Sequence, residues 1–277
     1  MSDAPGWILP ADKPAGLSSH DMVSRARRAL GVRRIGHAGT LDPFATGALI
    51  LLVGRATRLA RYFVELPKTY EAVARLGWRS STGDPEGEIT HTGRVPEPLV
   101  LPCGEIVQRP PAHSAVKVAG ERAYARARRG EEVQTRERSV TVFESALLWR
   151  EGERAALRFL CSSGTYVRSL VADLADAYCL ELRRLAVGPF AADERAWRGE
   201  GPVEGLLLDI AAAWRRFGDV IELDAPEEER AVANGRAIDA RGVAGPVLLV
   251  GSGGAPLAVA RERDGALRVE VGLRGGA

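Results

Sequence analysis

The chain has 277 residues, 45% hydrophobic and 27% charged, enough for one large domain or a large and a small one. It contains no run of about 18 apolar residues, so no membrane span is expected, and MSDAPGWILPADKPAG lacks the basic-then-apolar order of a secretory signal. Cys103, Cys161 and Cys179 stand far apart and outside any CxxC, which excludes a disulfide scaffold or zinc site as an expectation and fits a reducing cytoplasm.

The basic excess is local. Residues 1–79 carry 12 Lys and Arg against 6 Asp and Glu, whereas residues 219–277 carry 7 against 10. A polyanion should therefore dock mainly on the N-terminal part, unless that charge serves only solubility. Of the 38 basic residues only Lys13, Lys68 and Lys117 are lysine. A lysine surviving in such a chain marks a place where the planar arginine fork does not fit.

In chain order, residues 7–9 read as a short strand before the turn DKPAG. Ser18 or Ser19 caps a helix over about 19–30 that ends before Gly31. Met22, Val23, Ala26, Ala29 and Leu30 form its apolar stripe, and Arg25, Arg27 and Arg28 lie off it. The glycine-rich loop GHAGTLDPFATG leads into ALILLVG, a buried strand. ATRLARYFVEL suits a helix, KTYEAVARLGW a strand, and STGDPEGE a turn. Residues 121–129 read as a helix with Arg122, Arg126 and Arg129 on one face. Strands are expected over 138–149 and 154–162, a helix over about 165–178, a strand at LRRLAVGPF and a helix over 203–216. From 219 the acidic DVIELDAPEEER precedes three glycine-separated strands, GPVLLVG, PLAVARER and ALRVEVGL. This order predicts an α+β fold. Residues 1–218 form a main domain on a largely antiparallel mixed sheet with flanking helices. Residues 219–277 form a small β-rich domain.

The loop at 36–47 is the most unusual stretch. Pro43 biases Asp42 toward extended backbone, and Leu41, Pro43 and Phe44 are apolar neighbours. An aspartate there is desolvated, with a raised pKa, unless a cation holds it ionised. On spacing alone an ordinary Asp-Pro turn is slightly the better reading. A metal on His37 and Asp42 finds no further ligands at suitable spacing. Arg168 falls in the first turn of its helix, where a cation opposes the helix dipole. A carboxylate is its natural partner, and on the dipole argument its loss should cost the fold little. Tyr70 and Tyr166 each offer a ring for an unstacked base or for the core.

KPAGLSSHDMV, GHAGTLDPFATGALILLVGRATRL, KTYEAVARLG, STGDPEGE, RPPAHSAVKVAGERAYARARRG and CSSGTYVRSLVADL resemble, in order, the blocks of the TruB family of pseudouridine synthases, over most of residues 12–190. The resemblance implies a pseudouridine synthase domain that flips uridine 55 out of the T loop of tRNA and isomerises it without metal or cofactor. Asp42 is then the catalytic aspartate, Tyr70 packs against the target base, and Arg168 pairs with Asp42. His37 occupies the T loop, and Asp84 and Tyr166 share the pocket. Lys13 and Lys117 serve RNA contact or site support. Phosphate contacts fall to the basic N-terminal half and to Arg122, Arg126 and Arg129. The end of the chain resembles, more loosely, a small PUA-like domain. A cytoplasmic monomer with no obligate protein partner is expected. The rivals are a guide-RNA-dependent synthase acting on ribosomal RNA and a tRNA chaperone, the latter also as an additional role.

Overall fold

The structure is a computed structural model that describes residues 6–95, 97–111, 117–118, 120–122, 126, 129, 131, 135–174 and 176–273. Strand β1 (Trp7–Lys13) is followed by helix α1 (Ser19–Leu30), β2 (Ile35–Ala38) and β3 (Thr46–Val53). A 3-10 turn (Gly54–Leu59) then leads into α2 (Ala60–Glu65) and β4 (Lys68–Leu76). The short strands β5 (Trp78–Ser80) and β6 (Ile89–His91) pair with each other. Next come β7 (Gly104–Gln108), β8 (Lys117–Val118), β9 (Glu121–Arg122), β10 (Arg138–Glu151) and β11 (Arg154–Cys161). Helix α3 (Val167–Ala172), β12 (Ala177–Val187), β13 (Phe190–Ala191), β14 (Leu208–Asp209) and α4 (Ile210–Trp214) complete the first unit. The second comprises β15 (Val220–Leu223), α5 (Pro226–Ala233), β16 (Ile238–Asp239), β17 (Pro246–Gly251), β18 (Pro256–Arg263) and β19 (Ala266–Gly272).

The large sheet runs β14-β1-β3-β12-β4-β11-β10-β7, with β2 and β13 paired off that path. All its pairings are antiparallel except β12 on β3. The α+β expectation holds. β3 is buried over almost its whole length, as a continuous apolar run covered on both faces should be. β4 alternates buried and half-exposed residues strictly, so one face meets the core and the other does not. The second sheet, β15-β17-β18-β19-β16, shares a core with the first: Leu248, Val250, Val259 and Leu273 pack in one cluster with Phe63, Ile210 and Trp214.

α1 begins and ends as read. Ser18 caps it, accepting from the Asp21 N–H while the Asp21 carboxylate accepts from the Ser18 N–H, and Gly31 closes it in the left-handed conformation. Five helical readings differ from the structure. The ATRLARYFVEL segment divides into the 3-10 turn and α2. The helix expected over 165–178 stops at Ala172, and β12 already begins at Ala177. The helix expected over 203–216 shrinks to α4, because Asp209 caps it by accepting from the Ala212 N–H at 2.7 Å. Acidic composition hid α5, although Pro226 in its first turn and Glu227, Glu228 and Glu229 behind it are helix-start signals. The helix read over 121–129 does not start at 121: Arg122 lies in β9, paired with Lys117 of β8.

Candidate active site

The loop between β2 and β3 carries Asp42, and it is tied down at several points. The buried hydroxyl of Ser19 at the start of α1 donates to the Leu41 carbonyl (3.2 Å) and accepts from the Leu41 N–H (2.9 Å). The Pro43 carbonyl accepts from the Gly16 N–H at 2.8 Å and from Lys13 Nζ at 3.2 Å. Lys13 has no exposed surface and also donates to the carbonyls of Pro14 (2.9 Å) and Leu17 (2.7 Å). Burial pulls its ammonium down to about 8. Lys13 thus lies wholly buried against the loop that carries Asp42. Gly47 closes the loop at positive φ, and a Cβ there would overlap the Arg184 carbonyl.

Arg168 of α3, 3% exposed, reaches the loop from the other side. Its Nε lies 3.0 Å from Asp42 Oδ2, and its Nη1 donates to Asp84 Oδ2 at 2.7 Å and to the Thr82 carbonyl at 2.8 Å. The guanidinium therefore spans two carboxylates instead of grasping Asp42 with both prongs. Asp84 is buried and is held in turn by the Thr82 hydroxyl (2.6 Å) and the Glu86 N–H (3.1 Å). Burial raises the Asp42 pKa above the usual aspartate value; Arg168 works against that rise and Asp84 adds to it.

Asp42 and Arg168 face a cavity of about 270 Å³, whose wall also includes Tyr70, Lys68, Tyr166, Leu182 and Arg184. That is near the lower limit for a small-molecule site and suits a single base better than a larger ligand. Burial pushes the Tyr70 hydroxyl up. It also pulls Lys68 down to about 8, and Lys68 Nζ donates to the carbonyls of Val64 and Leu66. Tyr166 is set by Gln108, which donates to its carbonyl (2.9 Å) and accepts from its N–H (2.8 Å). The Arg138 guanidinium sits 5.2 Å from the Tyr166 ring centre. Among the described residues no group of three or more His, Cys, Asp or Glu could hold a metal ion, and no helix is long and apolar enough to cross a membrane.

A family model, the N-terminal domain of TruB family pseudouridylate synthases, matches residues 27–167. A tRNA pseudouridine synthase B of Thermobifida fusca is 42% identical over 289 residues, covering 97% of this chain and 98% of that protein. The chain belongs to the TruB family. A second tRNA pseudouridine synthase B, from Corynebacterium aurimucosum, is 40% identical, and the match covers 92% of each chain. The solved Cbf5-Nop10-Gar1 complex contains a chain with a TM-score of 0.69 and 24% identity, covering 96% of this chain and 83% of its own. That likeness is one of fold.

This TruB family member brings Asp42, Tyr70, Arg168, Asp84 and Tyr166 together, with Lys13 beneath the loop. His37 lies on β2, half-exposed and off the cavity wall. Lys117 is in β8, and nothing further of its side chain or of Arg122's is described. Arg122 lies in a strand, so the three arginines do not share the one helical face expected, and Arg126 and Arg129 meet carboxylates. Arg126 Nε donates to Glu131 at 2.7 Å, while Arg129 holds Glu121 with two nitrogens (2.6 and 2.8 Å) and Glu131 with another contact. Cations already engaged by carboxylates neutralise fewer phosphates, and so displace fewer of the counterions condensed on the nucleic acid, than free ones do. Sequence reasoning missed Arg184. The signal was the period of β12, which turns Leu182 and Arg184 to the same side.

Proposed function

We propose that the chain isomerises uridine 55 in the T loop of tRNA to pseudouridine, with Asp42 as the catalytic carboxylate. The observation that carries this is an aspartate on a clamped loop, facing a base-sized cavity beside a buried tyrosine and a buried arginine. Relatives named tRNA pseudouridine synthase B, aligned over nearly the whole chain, support the tRNA substrate.

The reaction breaks the N1–C1′ bond, turns the uracil and joins C5 to C1′, with the C5 proton passing to N1. Nothing is oxidised and nothing is lost, so the residues present can suffice. The uridine leaves its stack, at a cost of a few kcal/mol, and Tyr70 and Tyr166 offer it ring faces. Asp42, kept ionised by Arg168, acts at the sugar or at the base as nucleophile, or takes a proton from C2′. His37 is assigned to the T loop, and Asp84, which does not line the cavity, to holding Arg168 from behind. The basic N-terminal part supplies phosphate contacts, and the enzyme works as a cytoplasmic monomer.

Incubating the purified protein with an unmodified tRNA transcript and mapping pseudouridine tests this. Conversion at position 55, and none when that uridine is replaced by cytidine, is expected. No conversion overturns the reading. The electrostatics add a second expectation. Asp42 is required ionised, and its pKa is raised by burial, so protonation sets in at a higher pH than for an ordinary aspartate. The single-turnover rate should therefore fall with acid on a limb lying above the usual aspartate range. A pH–rate profile flat down to the pKa of an exposed aspartate, about 3.9, would count against an ionised Asp42.

A further inference from the structure

We propose that Arg184 is a positioning residue for this reaction: its buried guanidinium clamps both ends of the loop that carries Asp42. The inference rests on the isomerase reading for its rate consequence, and on geometry alone for the clamp. Arg184 is 1% exposed. Its Nε donates to the Ala48 carbonyl at 2.6 Å, beyond the loop, while Nη1 and Nη2 donate to the carbonyls of Thr40 and Gly39, each at 3.3 Å, before it. Asp42 lies between these anchors. The backbone of Arg184 is fixed by the same loop, since it pairs with Gly47 in the parallel register of β12 and β3.

Its guanidinium donates to three backbone carbonyls, and among the described residues no carboxylate forms an ion pair with it. An unpaired cation is costly to bury, and an apolar side chain would fill the space with less penalty. What an apolar group cannot do is bind three carbonyls on two separate strand ends in one plane. A lysine cannot do so either, because its ammonium is a single point at the end of a stem. Arg184 also sits opposite Tyr70 in the β12–β4 register, and its charge and hydrogen bond draw the Tyr70 hydroxyl down against the larger effect of burial. One side chain thus sets the place of the carboxylate and the environment of the ring.

Its neighbour Arg183 provides the control. It holds Asp12 with two nitrogens (3.0 and 2.9 Å) and the Ala192 carbonyl (3.1 Å), and it does not line the cavity. The experiment compares wild type, Arg184→Lys, Arg184→Met and Arg183→Gln by single-turnover rate at saturating tRNA, by tRNA affinity, by thermal midpoint and by amide exchange over residues 39–48. Arg184→Lys should slow turnover at least about tenfold, because reaction needs near-attack alignment. Its affinity should stay close to wild type, and exchange should quicken in the 39–48 segment only. Arg184→Met should do the same more strongly if it folds. Arg183→Gln should lower the midpoint and leave the saturated rate unchanged. Wild-type turnover by Arg184→Lys, or a quickened loop with no loss of rate, overturns the proposal. If the wild-type protein makes no pseudouridine, the isomerase reading falls, and unchanged exchange in Arg184→Lys and Arg184→Met would then remove the clamp as well.

Discussion

Asp42→Asn is expected to abolish pseudouridine formation, with a fall in single-turnover rate of at least about 10³-fold, within the range for losing a positioned acid, base or nucleophile. Asparagine keeps the volume and one oxygen, so the loop should survive: Ser19, Gly16 and Lys13 hold it through Leu41 and Pro43, not through the Asp42 side chain. Affinity for tRNA should change little, since phosphate contacts supply most of it. Stability should also move little. The substitution removes a carboxylate that burial disfavours, and it leaves Arg168 with Asp84 at 2.7 Å and the Thr82 carbonyl at 2.8 Å. Rate, affinity and thermal midpoint are measured separately on the purified variant. Substantial turnover would remove Asp42 from the mechanism, whereas lost affinity would mean that it acts in binding.

The elements that fix the site were the legible ones. β3 declared itself as a short continuous apolar run, and α1 by its stripe, its serine cap and its glycine stop, because those are local signals. The Asp42 loop was legible as rigid and non-helical from its glycines and Pro43. What held it was not. Lys13 stood out as a surviving lysine, but Ser19 and Arg184 act across the chain through the backbone, and a carbonyl acceptor leaves no mark in sequence. Arg183 and Arg184 look identical as letters; only the alternation of β12 separates the one paired with Asp12 from the one under the loop. The Arg122, Arg126 and Arg129 face failed for a related reason. A helical wheel assumes the helix, and Arg122 is in a strand while Glu121 and Glu131 engage the other two.

Arg168→Lys is expected to lower kcat by at least about 10²-fold while tRNA binding changes little, because a misplaced reactive group loses the benefit of alignment even when its charge is right. The native guanidinium divides its nitrogens between Asp42 (3.0 Å) and Asp84 (2.7 Å). A lysine ammonium at the same backbone position offers one charged point and cannot hold both carboxylates in place. The carboxylate it abandons is then repelled by the other, and if that one is Asp42 its pKa rises further. The acid limb of the rate profile should move to higher pH together with the fall in rate. Stability corrects the expectation drawn from the helix dipole. A cation in the first turn of α3 opposes the dipole by about 0.3–1 kcal/mol, which alone would make Arg168→Ala harmless. The side chain is 3% exposed and lies between two carboxylates, and breaking a buried pair costs about 3–5 kcal/mol. That outweighs the dipole several-fold, so Arg168→Ala should lower the thermal midpoint by roughly 6 °C or more in a chain of this size. Near-wild-type turnover by the lysine variant would show that charge alone suffices. An unmoved midpoint in the alanine variant would show that Asp42 and Asp84 share the buried site without their cation.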